Sequence, residues 1–237
     1  MGDGAARLGI VIPVYNEGAN IGATLDELEQ KIQTPHRIHI VYDFEEDDTL
    51  PVARERLAAG LPIDFIHNPV RGVVSAIKTG LRQAEEPYLL VSMADLSDDY
   101  RVVDEMAARM DAGADLVCGS RYMRGGRQIG GPLLKGLMSR AAGVSLKLLA
   151  GLPTHDVTNS FKLYRRSMLE QIEIESDGGF EIGMELTVKA HLRGFRVEEL
   201  PSTWRDRAEG ESRFKLRAWL PKYLRWYGLA LRGRLSR

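Results

Sequence analysis

The feature that most constrains the fold of this chain is a regular alternation of short apolar runs with amphipathic segments. The apolar runs are typical of buried strands, and hydrophobic residues at helical spacing follow them, as in Ile21, Leu25 and Leu28. Predicted strands cover Leu8–Val14, Ile38–Val41, Ile63–Ile66, Tyr88–Ser92 and Leu116–Gly119. This alternation with short loops predicts an α/β fold, with a mostly parallel central sheet flanked by helices.

The alternation is lost after Gly125. There the pattern predicts helices over roughly 133–150 and 181–193 and short strands near 161–164 and 196–200. A chain of 237 residues suits one domain with a small appendage. We therefore expect a main domain over residues 1–212 and a separate tail over residues 213–237.

The composition excludes several classes of protein. Hydrophobic residues make up 44% and charged residues 27% of the chain, which argues against disorder. The most apolar stretch, 133–152, is interrupted by Lys135, Arg140 and Lys147, so no membrane-spanning helix is expected. The first twenty residues do not have the pattern of a secretory signal. The single cysteine, Cys118, cannot form an internal disulfide, which favours a reducing, cytoplasmic compartment.

Common motifs for other chemistry are also missing from the sequence. It has no GxGxxG after the first predicted strand and no GxxxxGK[ST], the usual phosphate-binding loops of dinucleotide and P-loop sites. It has no GxSxG nucleophile elbow, and its five histidines show no metal-ligand spacing. The remaining candidates for chemistry are acidic residues at strand ends and a set of arginines.

Two aspartates follow predicted strands directly, where ligands of parallel sheets bind. Asp43 begins the acidic loop 43–48 and can accept hydrogen bonds from a base or ribose. Alternatively, that loop is a solvated turn in which Asp48 caps the next helix. Asp95 can hold a hard cation that bridges diphosphate oxygens, or it is a turn or capping residue.

A set of cations complements these acids: Arg121, Lys135, Arg140, Arg207 and Arg213. Guanidinium groups match phosphate geometry, and a polar, glycine-containing segment carries Arg207 and Arg213, which suits closure over a phosphate. The alternative for each is an ordinary solvated side chain, most of all for Arg140.

The tail has an unusual charge. From residue 213 onward it contains eight basic and no acidic residues, whereas the rest of the chain has 24 basic and 33 acidic residues. Such an asymmetry indicates a polyanionic partner, which could be nucleic acid, a phosphorylated substrate or anionic lipid.

The same tail fits an amphipathic helix from Trp219, with Pro221 in its first turn. Aromatic residues and leucines lie on one half, and Lys222, Arg225 and Arg232 lie opposite. This pattern is typical of a helix on an anionic membrane surface, and the alternative is a helix packed on its own domain or on a partner subunit. The aromatics are not interleaved with the cations, which disfavours nucleic acid.

Several segments resemble family-two glycosyltransferases of the GT-A fold. In the first half they are Val11-Ile-Pro-Val-Tyr-Asn-Glu17, Asp43, Ala94-Asp95-Leu96-Ser97 and Gly119-Ser-Arg-Tyr122. The second half resembles dolichol- or polyprenyl-phosphate mannose synthases and their glucosyl relatives in Asp156-Val-Thr-Asn-Ser-Phe-Lys-Leu-Tyr-Arg165, Met184-Glu185 and Arg207-Ala-Glu-Gly-Glu-Ser-Arg213. The resemblance covers about residues 8–216 and implies that residues 1–212 form a GT-A catalytic domain.

The resemblance implies roles for individual residues. Asp95, Arg121 and Arg207 would be catalytic, and Asp95 with Ser97 would hold Mg²⁺ or Mn²⁺. The nucleotide would be held by Pro13, Tyr15, Glu17, Asp43, Arg71 and Ala94. The acceptor phosphate would be held by Lys135, Ser139 and Arg213, and Arg140 of the cation set is a further candidate for that phosphate.

Three positions depart from the family's pattern. Met93 stands where the family commonly has the first carboxylate of Asp-Ala-Asp, and a thioether is a poor ligand for Mg²⁺ or Mn²⁺. Phe44-Glu45 replaces the usual Gly-Ser, and Gly183 stands where a glutamine is frequent. These departures affect the expected affinity for the metal, the way in which the nucleotide base binds, the identity of the donor and the activity itself.

The implied reaction is inverting transfer of a hexose, mannose or glucose, from a nucleotide sugar (GDP-mannose or a UDP-hexose) to a polyprenyl phosphate. A phosphate monoester has a second pKa of about 6, so it is largely a dianion at neutral pH and needs no strong general base. The expected location is the cytoplasmic face of a membrane, with a membrane subunit or a second copy of the chain as further candidate partners. The alternatives are a glycosyltransferase with a soluble acceptor and a catalytically degenerate nucleotide-sugar-binding subunit.

Overall fold

The structure, a computed structural model, describes residues 6–206 and 216–235, with the backbone alone described for 216–219 and 234–235. Arg207, Arg213 and the predicted boundary between residues 212 and 213 lie outside the described residues. The strands are β1 (Leu8–Pro13), β2 (His36–Tyr42), β3 (Ile63–His67), β4 (Tyr88–Val91), β5 (Leu116–Ser120), β6 (Arg127–Ile129), β7 (Lys162–Arg165), β8 (Val197–Pro201) and β9 (Thr203–Arg205).

Helices follow most strands of the first half, as the alternation predicts. They are α1 (Gly18–Lys31), α2 (Thr49–Ala58), α3 (Val73–Gln83), α4 (Val103–Asp111), α5 (Leu133–Ala150), α6 (Arg166–Leu169), α7 (Ile182–Leu192) and α8 (Leu216–Leu235), with a short 3-10 turn at Tyr100–Val102. The central sheet has the strand order β3-β2-β1-β4-β7-β5-β8. The prediction of an α/β fold with a mostly parallel, helix-flanked sheet is confirmed.

One strand of the central sheet, β7, runs antiparallel to both of its neighbours, β4 and β5. The residues that precede β7 therefore lie at the edge where the parallel strands end, and this edge carries the candidate site. A second, two-stranded parallel sheet pairs β6 with β9 beside that edge.

The core has one layer on each face of the sheet. Ile10 and Ile12 of β1 face one layer, and the intervening Val11 faces the other, as the alternation of side chains along a strand requires. The first layer is completed by α1, α2 and α4, and the second by α3, α6 and α7. Both faces of β1 are buried, which explains its continuous apolar run.

The C-terminal helix α8 packs on the rest of the chain. Trp226 is 2% exposed and, with Ala230, joins a third hydrophobic cluster with Leu146 of α5 and Val188 of α7. The expectation that the half of the helix carrying Trp226 faces lipid is therefore wrong, and the alternative, packing on its own domain, describes it.

Two further expectations about this helix differ from the structure. It begins at Leu216, so Pro221 lies inside the helix and not in its first turn. Lys222 and Arg225 form ion pairs with Asp177 (2.9 Å) and Glu175 of the domain. These cations are thus engaged by carboxylates of the chain itself.

Among the described residues, no helix combines the length and the apolarity that crossing a lipid bilayer requires.

Candidate active site

A cavity of about 630 Å³ opens at the edge of the sheet where the parallel strands end. Asp43, Asp95 and Arg121, which are far apart in sequence, all line this one cavity. The other predicted site residues that line it are Pro13, Tyr15, Glu17, Arg71, Ala94, Ser97, Lys135 and Ser139. The structure thus brings the predicted nucleotide, metal and acceptor positions together in a single cleft.

Arg140 is the described site candidate that the structure does not bring into the cavity. Lys135 and Ser139 lie four residues apart on α5 and share its cavity-facing side. Arg140 follows Ser139 by one residue, about 100° around the helix, and its side chain is exposed. Its predicted contact with an acceptor phosphate therefore finds no support in this geometry.

The end of β2 supplies an anchored carboxylate and an aromatic cluster. Asp43 accepts hydrogen bonds from the Asn68 amide (2.6 Å) and the Gly72 backbone N–H (3.0 Å). The Arg71 guanidinium lies over the rings of Tyr15 and Phe44, 5.6 and 5.0 Å from their centroids. Flat aromatic and guanidinium surfaces beside a carboxylate suit a planar, hydrogen-bonding base.

The rest of the acidic loop is not a simple solvated turn. Asp47 is 1% exposed and accepts hydrogen bonds from the backbone N–H groups of Asn16 (3.1 Å) and Thr49 (2.9 Å). The predicted cap by Asp48 is not formed, since its Oδ1 accepts instead from the Gly18 N–H (2.8 Å). Asp47 therefore ties the loop after β1 to the loop after β2, and both loops contribute to the cavity.

The loop after β4 positions Asp95 and Ser97. Both side chains are buried at the cavity, and an Asp95 carboxylate oxygen accepts from the Ser97 N–H at 3.1 Å. Between them Leu96 has a φ of 58°, a left-handed conformation that costs a non-glycine residue about 1–3 kcal/mol. Such strain at a loop that aims a carboxylate into a cavity is typical of functional sites.

A second carboxylate lies behind this loop. Asp98 accepts from the Met93 N–H and the Ser92 hydroxyl, each at 3.2 Å, and is not among the residues that line the cavity. Burial, followed by the negative charge of Asp95, raises the pKa of Asp98 to about 7. Asp98 is therefore only partly ionised near neutral pH.

The donor atoms at the cavity limit how a metal could bind. Asp95 offers one carboxylate and Ser97 a hydroxyl, while Met93 offers a thioether, which hard cations disfavour. Within residues 6–206 and the described part of α8, no group of three His, Cys, Asp or Glu side chains is placed to hold a metal. Mg²⁺ at diphosphate sites commonly takes one or two protein carboxylates and fills its remaining positions with phosphate oxygens and water. The residues present fit a cation that binds together with a diphosphate.

Arg121 is fixed by a buried aspartate. Its Nε and Nη2 donate to the two carboxylate oxygens of Asp156 at 2.7 and 2.9 Å, and Nη2 also donates to Ser139 at 3.0 Å. Burial raises the pKa of Asp156, but the charge of Arg121 and the hydrogen bonds from its side chain and backbone together outweigh burial and hold that pKa below its usual value. The guanidinium thus lines the cavity as one half of a neutralised pair.

Comparison with known proteins identifies the family. Residues 9–173 match the family described as Glycosyl transferase family 2. The chain belongs to this family. It is 31% identical to the polyprenol monophosphomannose synthase of Mycolicibacterium smegmatis, over 96% of this chain and 88% of that protein. It is 28% identical to the dolichol-phosphate mannosyltransferase of Pyrococcus furiosus, over 88% of this chain and 59% of that protein.

Solved structures agree with this assignment at the level of the fold. The glucosyl-3-phosphoglycerate synthase of Mycobacterium tuberculosis, in complex with Mn²⁺, UDP and phosphoglyceric acid, superposes with a TM-score of 0.66 at 16% identity, over 97% of this chain and 78% of that one. TarS of S. aureus superposes with a TM-score of 0.61 at 18% identity, over 84% and 60% of the two chains. The chain is a family-2 glycosyltransferase with the GT-A fold.

The cavity of this glycosyltransferase also contains residues that sequence reasoning did not assign. Thr158, Asn159 and Ser160 precede β7, and its antiparallel direction delivers them to the site. The resemblance of segment 156–165 was the available signal for them. Other unassigned lining residues are Gln128, Phe180, Met184, Trp204, Asp206, Leu220, Tyr223, Leu224 and Tyr227. The lining residues of α8 belong to no recognisable sequence motif, and only the packing of α8 on the domain shows that they reach the cavity.

Proposed function

We propose that this glycosyltransferase transfers a hexose, with inversion, from a nucleotide sugar to a polyprenyl phosphate at the cytoplasmic surface of a membrane. The observation that carries the proposal is that two chemically different sets of residues line the same cavity. One set is the charged residues Asp43, Asp95 and Arg71 from the loops after the strands, and the other includes the leucines Leu220 and Leu224 of α8. An amphipathic acceptor, a phosphate on an isoprenoid chain, matches such a cavity.

The names of the relatives support the same acceptor class and favour mannose as the sugar. The two proteins described above are a polyprenol monophosphomannose synthase and a dolichol-phosphate mannosyltransferase. The single cysteine, Cys118, is free and buried, which supports a reducing compartment on the cytoplasmic side.

The donor would occupy the end built by the loops after β1, β2 and β4. Asp43 and the Arg71–Tyr15 cluster would hold the base, and the diphosphate would lie against Asp95 and Ser97. A bound Mg²⁺ or Mn²⁺ there would supply positive charge to the leaving diphosphate. Placing that charge where negative charge develops is the largest contribution that such a site makes.

The acceptor phosphate would lie at the N-terminal end of α5. Lys135 lies in the first turn of that helix, where the helix dipole also favours an anion. A phosphate oxygen then attacks the anomeric carbon from the face opposite the donor diphosphate. The new carbon–oxygen bond forms as the bond to the diphosphate breaks, and the nucleoside diphosphate leaves with that electron pair.

Arg121 would act mainly by position in this reaction. Because Asp156 neutralises it, its contribution is to fix Ser139 and the loop before β7 rather than to add net positive charge. Arg207 and Arg213 remain proposed as catalytic and acceptor-phosphate residues. Asp206, directly before them in the chain, lines the cavity, which supports a role for the segment that follows it.

The test is a donor and acceptor screen with purified protein. GDP-mannose, UDP-glucose and UDP-N-acetylglucosamine are each offered with a short-chain polyprenyl phosphate, in Mg²⁺, in Mn²⁺ and in chelator. We expect hexose transfer that Asp95→Asn lowers by about 10²–10³-fold, since a preorganised charge contact is lost. The matched control is Asp26→Asn on α1, an exposed aspartate away from the cavity, which should leave turnover unchanged.

Two results would contradict the proposal. Transfer to soluble acceptors without transfer to any prenyl phosphate would show a different acceptor class. Nucleotide-sugar binding without turnover under every metal condition would show a degenerate binding subunit.

A further inference from the structure

Exposed leucines are concentrated on two helices beside the cavity. Of the ten large hydrophobic side chains exposed among the described residues, seven lie on α5 and α8. On α5, Leu133, Leu137 and Leu148 are 91%, 66% and 72% exposed. At 100° per residue these three lie within about 60° of one another, opposite the buried Leu146. We call this surface, with Leu134, the outer face of α5.

The outer face of α5 extends along most of the helix. An 18-residue helix is about 27 Å long, and exposed leucines occur near both of its ends. The opposite side of α5 is occupied, because Leu146 and Ala150 pack under α7 and α8 while Lys135 and Ser139 line the cavity. Contiguous exposed apolar surfaces of this kind mark sites of interaction with proteins or membranes.

The charge around this face identifies the partner. Residues 116–155 contain six basic residues and no aspartate or glutamate. Three of the six, Arg124, Arg127 and Arg140, are exposed and form no ion pair with any described residue. An apolar helix face that includes Arg140, in a stretch of chain whose other exposed arginines pair with no described acid, complements a bilayer with anionic headgroups.

The helix that carries the outer face also lines the cavity, together with α8. Leu220 and Leu224 of α8 line the cavity and are themselves 37% and 56% exposed. The hydroxyl of Tyr227 on α8 donates to Ser145 of α5 at 2.9 Å, so the two helices are joined beside this opening. An isoprenoid chain that leaves the cavity beside these helices would contact α5.

We propose that the outer face of α5, with Arg124, Arg127 and Arg140, is the surface that docks this enzyme on an anionic lipid bilayer. The proposal rests on the proposed function for the identity of the acceptor, but the docking itself is measured separately. In this proposal α5, and not the basic face of α8, contacts the membrane, because Lys222 and Arg225 of α8 are paired with carboxylates of the domain.

The test is flotation of the full-length protein with vesicles of phosphatidylcholine and phosphatidylglycerol. The triple variant Leu133→Gln, Leu137→Gln, Leu148→Gln should lose binding by about tenfold or more, since its apolar contact with the acyl region is gone. The matched control is Leu57→Gln on α2, an exposed leucine on another surface, which should bind like the wild type. Lys222→Gln, which alters the tail, should also bind like the wild type.

A second variant separates charge from apolar contact. The second variant combines Arg124→Gln, Arg127→Gln and Arg140→Gln. It should bind the anionic vesicles more weakly than the wild type does, and this difference should shrink as phosphatidylglycerol is replaced by phosphatidylcholine. Wild-type protein that does not float, or a leucine variant that floats like the wild type, would overturn the proposal.

Transfer assays distinguish this proposal from the proposed function. The leucine variant should keep transfer to a short-chain prenyl phosphate in solution and lose transfer to a long-chain one in vesicles. If wild-type protein transfers to neither while flotation still depends on the leucines, the proposed function fails and the docking surface stands.

Discussion

A single buried carboxylate, Asp156, holds together much of the cavity wall that β5, α5 and the loop before β7 form. Its side chain is fully buried, and it receives the Arg121 guanidinium through two charged hydrogen bonds together with the Arg121 backbone N–H at 3.0 Å. Through Arg121 it also positions Ser139 and Thr158. One residue thereby connects β5, α5 and the loop before β7.

Removing this charge should be costly. We expect Asp156→Asn to lower the free energy of unfolding by about 3–5 kcal/mol, because it leaves a buried guanidinium without its counter-charge. Asp26→Asn, which breaks the exposed pair with Arg56, should cost about 1 kcal/mol or less. Urea unfolding monitored by fluorescence measures both, and equal effects would show that the Arg121 pair is solvated.

The stability that the Asp156–Arg121 pair contributes should fall as the pH is lowered into the acid range. The pKa of Asp156 is lowered in the folded protein, so its stabilisation is present above the unfolded value of about 3.9. That stabilisation is lost as the pH falls through the lower, folded value. The difference in stability between wild type and Asp156→Asn should therefore persist at neutral pH and shrink only in acid.

At the residue scale, the sequence predicts which acidic residues follow the strands, but it does not show which side of a helix faces the cavity. Asp43 and Asp95 were found from sequence because they follow apolar runs, and strand ends of a parallel sheet converge. Arg140 is a candidate from its charge alone, and the helical period turns its side chain away from the side of α5 that lines the cavity. Asp47 looked like one more solvated acid, and only the fold shows which backbone groups it binds.

At the element scale, α8 shows the limit of pattern reading. A helix with aromatics on one face and cations on the other has the same sequence pattern whether it contacts lipid or protein. Its partners come from α5 and α7, which lie far away in sequence, and the acids that neutralise it, Glu175 and Asp177, belong to neither helix. The amphipathic helix was thus predicted correctly, while the identity of the surface it covers was not.

Because only one side of α8 is buried, truncating its side chains should lower the free energy of unfolding strongly at buried positions and weakly at exposed ones. Trp226→Ala should lower the free energy of unfolding by about 3–5 kcal/mol, because it empties a site between α5 and α7 and removes contacts with Lys189 and Arg225. Leu224→Ala, on the same helix but 56% exposed, should cost less than about 1 kcal/mol. Thermal and urea unfolding check this, and similar small losses for both would mean that α8 detaches from the domain.

At the scale of the whole molecule, the cavity joins elements from nearly the full length of the chain. Its lining runs from Pro13 to Tyr227, so a ligand that binds there couples to global unfolding. We expect a nucleoside diphosphate with Mg²⁺ to raise the unfolding temperature, by a stabilisation of about 2.7 kcal/mol at a hundredfold excess over its Kd. Comparing GDP with UDP by differential scanning fluorimetry identifies the base.

The matched variant for this measurement is Asp43→Asn. It keeps an acceptor for Asn68 or Gly72 while removing the charge offered to a base or ribose. The variant should remain folded and lose most of the thermal shift. An unchanged shift would show that the nucleotide binds away from the end of β2.

The reversed strand β7 has a consequence for how this architecture can diversify. Most of the lining before β5 comes from the ends of parallel strands and the loops that follow them, whereas much of the remaining wall comes from the segment that precedes β7 and from α5 and α8. Each half of the catalytic cleft is thus encoded by a contiguous stretch of gene. A chimera joined within β5 should exchange the preference for one substrate while leaving the preference for the other intact.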